Sequence, residues 1–273
     1  MKAAARRPVA QVSSLTVDIA TSAHRRSPRV RVLDTMSLAV CTGEVTVLVG
    51  ESGCGKSMVA AALCGLLPPG CTVTGSVRID QTTLTHDDPA WDRLRGRVVG
   101  LVPQSSSTSF TPVRTVRSQL REVVSVLDGP GSFEQLCDLV RLPRGALDLY
   151  PHELSGGMAQ RAAIAAAIAG NPAVVVADEP TSALDPELAH TVWELLARLA
   201  RRGTAVLAIT HDLDSLRRAG IDPAVAVMRH GRLLNQTRAG HFLADPPAAP
   251  SPTPDTEECD DEVYLRAFFS EVH

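Results

Sequence analysis

An α/β fold built on a mainly parallel sheet follows from three features of the 273-residue sequence. Short apolar runs at Val45–Val49, Val98–Val102, Ala173–Ala177, Thr204–Thr210 and Ala224–Met228 alternate with helical segments. That is the pattern of strands buried on both faces and joined by helical crossovers. A glycine-rich stretch separates the first of these runs from an Ala-rich helix, and the polar motifs all fall at the carboxyl ends of the runs. In an open parallel sheet those ends are where ligands sit.

Composition sets the class. With 44% hydrophobic and 21% charged residues the chain can bury a full core. A formal net charge of -3 supplies no general field for nucleic acid, although Arg6-Arg7, Arg25-Arg26 and Arg201-Arg202 form local basic pairs. Six cysteines lack C-x-x-C spacing, which predicts reduced thiols in a cytoplasm and neither a disulfide framework nor a zinc site. No apolar run approaches the roughly 18 to 20 residues that span a bilayer, and the N-terminus has no apolar signal core. Any membrane connection is therefore expected through a partner.

Taken in order, residues 1–8 read as a frayed end, and Val12–Ile19 and Val30–Val40 as the arms of a hairpin around the polar stretch Thr21–Pro28. Val45–Val49 is the first strand of the core, followed by a helix over Met58–Leu67. Gly75–Ile79 is expected as a short edge strand and Val98–Val102 as a buried one. Pro103-Gln104 ends the latter and opens a polar loop, Ser105–Thr111. Amphipathic helices over Val113–Leu127 and Phe133–Leu142, divided by Asp128-Gly129-Pro130-Gly131, then make a helical insertion. Ser155 caps a helix reaching Gly170, Asn171-Pro172 stops it, and Pro186–Arg202 is a further helix with proline in its first turn. The expected division is one domain over residues 1–240, with a helical subdomain over 104–170, and a Pro-rich acidic tail over 241–273. Within that tail Ala244–Pro254 is a linker, Asp255–Glu262 is acidic, and Val263–Val272 carries Tyr264, Phe268 and Phe269, rings expected to dock on the domain or on a partner.

The glycine-rich stretch is Gly50-Glu51-Ser52-Gly53-Cys54-Gly55-Lys56-Ser57, a complete G-x-x-x-x-G-K-[ST] pattern between strand and helix. Gly50, Gly53 and Gly55 let the backbone curl so that its N–H groups, with the positive end of the helix that runs on through Met58, face a polyphosphate. Lys56 supplies a point charge for the β- and γ-phosphates, and the Ser57 hydroxyl a ligand for Mg²⁺. Hydrolysis further needs an oriented water and neutralised charge. The strand Val174-Val175-Val176-Ala177 delivers Asp178, to hold Mg²⁺ through its water shell, and Glu179, to polarise the water. Cys54 inside the loop is a candidate for alkylation that blocks nucleotide binding, if it is exposed.

Leu154-Ser155-Gly156-Gly157-Met158 then repeats the chemistry of the loop, because a capped helix start with two glycines exposes N–H groups to an anion. With that motif, followed by Ala159-Gln160-Arg161, residues 11–240 resemble the ATP-binding subunit of an ABC transporter. The resemblance implies a P-loop NTPase (RecA-like) core, an antiparallel β subdomain and an α-helical insertion carrying the signature motif. It implies ATP and Mg²⁺ as cofactors and a head-to-tail dimer in which Ser155, Gly156 and Gly157 act on the nucleotide of the other subunit. Gln104 resembles the glutamine that senses Mg²⁺ and the attacking water, and His211, in Ile209-Thr210-His211-Asp212, the histidine that contacts the γ-phosphate. Ser182-Ala183-Leu184-Asp185 resembles the loop that runs along the dimer interface, bringing Asp185 to the nucleotide.

Thr108-Ser109-Phe110-Thr111-Pro112 and Tyr150-Pro151-His152-Glu153-Leu154 are similar to the oligopeptide, dipeptide and nickel importer branch. That likeness implies a second, different ATPase subunit in preference to a homodimer, integral membrane permease subunits at the cytoplasmic face, and indirectly an extracellular substrate-binding protein. An exporter's ATPase subunit is the nearer alternative. A soluble ABC-type ATPase acting on nucleic acid or ribosomes is the more distant one, since neither paired domains nor coiled-coil insertions occur. Two departures stand out. No Phe, Tyr or Trp precedes Trp91 to stack on adenine, which leaves His24, Arg25, Arg26 and Arg29. Cys259 stands alone in the tail, so no iron-sulfur cluster is expected.

Overall fold

The computed structural model describes residues 7–20, 28–129, 131–182, 184–238, 261 and 263–265. The chain opens with two long strands, β1 (Pro8–Ala20) and β2 (Arg29–Cys41), followed by β3 (Val45–Gly50) and helix α1 (Lys56–Leu63). Next come β4 (Thr72–Ile79), β5 (Thr82–Leu84), the one-turn helix α2 (Trp91–Leu94) and β6 (Val99–Val102). A helical stretch follows, with α3 (Val116–Leu127), α4 (Phe133–Leu139) and α5 (Gly156–Ile168). The remainder alternates as β7 (Val174–Asp178), α6 (Pro186–Arg201), β8 (Ala205–Ile209), α7 (Leu213–Arg218), β9 (Ala224–Arg229) and β10 (Arg232–Arg238).

Two sheets result. The larger runs β10-β9-β3-β8-β7-β6, parallel throughout except where β10 returns antiparallel beside β9. The smaller is antiparallel, in the order β2-β1-β4-β5. Side chains on the central strands divide between two cores with a period of two residues, as a strand covered on both faces requires. Val45, Val47 and Val49 enter one core and Leu48 the other; Val175 and Ala177 oppose Val174 and Val176 in the same way. The first core is closed by α3 to α6, the second by α1 and the antiparallel sheet.

Several boundaries differ from those read in the sequence. β4 lies inside its sheet, paired with both β1 and β5, and the edge belongs to β5. Three residues of β5 after the turn at Asp80-Gln81 are too few to carry a strand period. α3 starts at Val116 because the Thr115 side chain caps it through Ser118 N, leaving Val113 outside and 79% exposed. α4 stops at Leu139, and Arg141 at a φ of 53° turns the chain away. The cap predicted at Ser155 is present, its hydroxyl accepting from Met158 N at 3.3 Å. α5 also lies directly on β6: a Cβ at Gly100 would stand 2.1 Å from the Ala167 carbonyl oxygen. Only glycine permits that approach.

Candidate active site

The site is assembled where β3, β8 and β7 end side by side. At the end of β3 the loop leaves through Gly50, where a Cβ would lie 2.1 Å from the Met228 carbonyl oxygen on neighbouring β9. Gly53 (φ 80°) and Gly55 (φ 103°) then turn the chain through left-handed conformations into α1. α1 begins at Gly55 with no side-chain cap, so its first N–H groups are presented to the space above the loop. Met58 is the exception, because its N–H donates to Gly55 O at 3.0 Å.

The Lys56 ammonium folds back along the loop and donates to the carbonyls of Gly50 and Glu51, both at 2.8 Å. Glu51, Ser52 and Gly53 are exposed. Cys54 is 7% exposed, with its thiol pushed up by burial and 3.9 Å from Lys56 Nζ. The exposure on which the alkylation expectation depended is therefore not met. The loop curls its fourth variable residue inward, where it packs in the core of the α1 side.

Asp178 closes β7 half-buried, and its carboxyl is raised above the usual carboxylate range. Burial is the main cause, with the Glu179 carboxylate acting in the same direction and the Ser57 hydroxyl and Lys56 ammonium opposing it. Glu179 takes a φ of 48° and donates its N–H to Ile209 O on β8 at 2.9 Å. This left-handed step, uncommon for a residue with a side chain, turns the carboxylate toward the end of β8. There His211 Nδ1 lies 3.0 Å from Glu179 Oε1. Among the described residues, Asp178 Oδ1 and Glu179 Oε2 are buried without a hydrogen-bond partner.

Of the other predicted residues, Gln104 lies at this edge, and Ser155, Gly156, Gly157 and Asp185 lie at the starts of α5 and α6. Gln104 is exposed just past β6, whose register with β7 sets Val102 opposite Ala177, so the chain leaves the sheet beside the two acidic residues. Ser155 and Gly156 are exposed at the start of α5, whereas Gly157 is buried with a would-be Cβ 2.5 Å from Leu188 Cδ1 on α6. Asp185 Oδ1 caps α6, accepting from Glu187 N at 3.1 Å and Leu188 N at 3.0 Å. Ala183 of the same loop lies outside the described residues, as do His24, Arg25 and Arg26, Phe268, Phe269 and Cys259. Arg29 points its Nη1 at the carbonyls of Asp18 and Gly70, each 3.4 Å away.

Sequence reasoning expected the tail rings to dock but did not locate the contact, which for Tyr264 lies behind the loop. Arg229, at the end of β9, holds Asp261 Oδ1 at 2.9 Å and lies 4.9 Å over the Tyr264 ring. The Tyr264 hydroxyl is raised first by burial and then by the nearby Glu51 and Cys54, with the Glu51 backbone and Arg229 opposing. Leu265 is buried against the core. The aromatic content of the tail was the one sequence signal for this docking.

Among the described residues no helix is long and apolar enough to cross a membrane, and no group of three or more His, Cys, Asp or Glu side chains could hold a metal. The family of ABC transporters, by its model, matches residues 33–182. The chain is 36% identical over 241 residues to the probable peptide ABC transporter ATP-binding protein of Sinorhizobium fredii, covering 84% of this chain and 71% of that one. It is 40% identical over 214 residues to the nickel import ATP-binding protein NikD of Brucella abortus, covering 75% of this chain and 79% of the relative. The fold matches a dimeric ATP-binding cassette in a post-hydrolysis state bound to ADP and Pi, with a TM-score of 0.69 at 26% identity over 84% of this chain and 98% of the other. A strand-end phosphate loop, an Asp-Glu pair facing a histidine and a capped Ser-Gly-Gly helix thus occur together in a chain that belongs to the ATP-binding subunits of ABC transporters, and is an ATPase.

Proposed function

We propose that this chain is the ATP-hydrolysing, energy-coupling subunit of an importer for peptides, nickel or metal-chelate complexes, or similar small solutes. The substrate class is taken from relatives whose names specify peptide, oligopeptide and nickel transport. The single observation that carries the catalytic reading is the Glu179–His211 pair, 3.0 Å apart, beside the phosphate loop. His211 occupies one carboxylate oxygen of Glu179 and leaves the buried Oε2 as the acceptor for the proton of an attacking water. Lys56 and the N–H groups of the loop and of α1 hold the triphosphate, so that the water meets the γ-phosphoryl in line.

The residues present fit Mg²⁺. The Ser57 hydroxyl and the unpartnered Asp178 Oδ1 are hard oxygen donors, few enough for an ion that keeps several waters. Mg²⁺ bound there would neutralise charge on the β- and γ-phosphates. Gln104 is assigned to the same ion from the β6 side. Ser155, Gly156 and Gly157 serve the nucleotide of a second ATPase subunit, a different chain in preference to a copy of this one, and Asp185 lies on that interface. The pair works beneath permease subunits at the cytoplasmic face of the membrane, with the cargo selected by those permeases and an extracellular binding protein.

Glu179→Gln tests the reading. It removes the proton acceptor but keeps the loop, so turnover should fall by about 10²- to 10⁴-fold while ATP still binds and a closed dimer accumulates. Wild-type hydrolysis in that variant would overturn the assignment.

A further inference from the structure

Ser106 and Gln160 are each only 6% exposed, and their side chains meet in a buried hydrogen bond. Ser106 begins a short 3₁₀ turn, Ser106–Thr108, two residues after Gln104; Gln160 lies on α5, three residues after Gly157. The contact therefore joins the segment that leaves the catalytic edge of β6 to the helix whose start is the Ser-Gly-Gly motif. The Ser106 hydroxyl is also 3.3 Å from the carbonyl oxygen of Pro103, the residue immediately before Gln104.

One hydroxyl proton cannot serve both acceptors. In one orientation of the amide the Ser106 hydroxyl faces Gln160 Oε1, while Gln160 Nε2 is buried with no partner among the described residues. Amide oxygen and nitrogen are assigned from the hydrogen-bond network, and reversing this amide resolves the conflict. Gln160 Nε2 then donates to Ser106 Oγ, and the Ser106 hydroxyl donates onward to Pro103 O, in a directed chain of donors.

We propose that Gln160 and Ser106 are positioning residues. The relay from Gln160 through Ser106 to Pro103 sets where Gln104 stands at the catalytic edge according to where α5 sits. This inference rests on the roles assigned above to Gln104 and to the start of α5. A displacement of α5 moves the donor end of the relay, and the acceptor end is the backbone that carries Gln104. Neither residue touches the nucleotide, so the expected effect falls on turnover and spares affinity.

The test uses the full chain, with steady-state hydrolysis of Mg-ATP, binding of a fluorescent ATP analogue, thermal unfolding, and hydrogen exchange of the peptides covering residues 103–109 and 50–58. Ser106→Ala should lower kcat by about tenfold or more, as a misplaced catalytic group does, with KM and analogue affinity unchanged. Exchange should rise in 103–109 and not in 50–58. Ser106→Thr, which keeps the hydroxyl, should restore kcat. The double variant Ser106→Ala/Gln160→Leu removes the orphaned amide and should recover thermal stability without recovering kcat. Wild-type kcat and exchange in Ser106→Ala would overturn the proposal, and so would a double variant in which kcat returns together with stability, since the pair would then be structural only. Glu179→Gln run in parallel separates the two levels: if it is inactive while Ser106→Ala is normal, only the relay falls. If Glu179→Gln retains wild-type turnover, the site reading falls and the relay with it.

Discussion

Glu179 Oε1 and His211 Nδ1 lie 3.0 Å apart at the ends of two adjacent parallel strands, with the glutamate side chain 13% exposed and the histidine 73%. The pair is thus asymmetric: a carboxylate fixed by its backbone and by burial, and an imidazole open to whatever approaches the sheet edge. His211→Ala should remove the contact to Glu179 Oε1 without touching the phosphate loop. We expect kcat to fall by about 10²-fold or more, with KM for ATP close to wild type, measured by steady-state phosphate release.

Lys56 has two roles that one substitution removes together. Its ammonium supplies charge for a triphosphate, and its bonds to Gly50 O and Glu51 O pin the curve of the loop. Hydrogen bonds to a charged group contribute about 1.5–3 kcal/mol, which corresponds to about 10- to 100-fold in affinity. Lys56→Ala should weaken binding of a fluorescent ATP analogue by at least that factor, and Lys56→Gln should recover little of it.

The cysteines should differ in reactivity as their burial differs. Cys64 is 2% exposed, with its thiol pushed up to about 12 by burial, and burial raises Cys54 as well. Thiolate is the reactive form, so at pH 8 Cys64 remains a thiol and stays unmodified by iodoacetamide until the chain unfolds. Moving to pH 9 leaves it below its folded pKa and changes nothing. Half-buried Cys41 and Cys71 should be modified before Cys54, as read by peptide mass mapping.

Two glycines make a matched comparison. Gly100→Ala would set a methyl 2.1 Å from the Ala167 carbonyl oxygen, whereas nothing lies within 4 Å of a Cβ at Gly145. The first substitution should cost about 1–3 kcal/mol through overpacking and lower Tm, and Gly145→Ala should leave Tm close to wild type. Thermal unfolding of the two variants side by side checks this.

What the sequence made legible was whatever is encoded within a few residues. Continuous apolar runs located β3, β6, β7, β8 and β9, because a strand covered on both faces needs no polar residues. The phosphate loop, the Asp178-Glu179 step and the Ser155 cap were likewise carried by local patterns. Contacts between distant segments were not legible. Ser106 meets Gln160 across 54 positions and Arg229 meets Asp261 across 32, and no periodicity reports which remote segment covers a side chain. β4 was misplaced at an edge for a related reason, since its outer neighbour β5 has only three residues. The left-handed φ of Glu179 left no trace either, because it is imposed by the bond of its N–H to Ile209 O.

The short turn after β9 is touched from two directions. From one side the N–H of Gly231 donates to Cys54 O in the phosphate loop at 3.1 Å; from the other, Arg229 carries Asp261 and Tyr264. Thermodynamic linkage is reciprocal. Any free energy by which the docking of Tyr264 stabilises a loop shape that favours ATP returns undiminished as tighter docking when ATP binds. A proteolytic clip before Asp261, or a fusion that pulls on residues 261–265, would then register as an altered nucleotide affinity in a cassette whose every catalytic residue is intact.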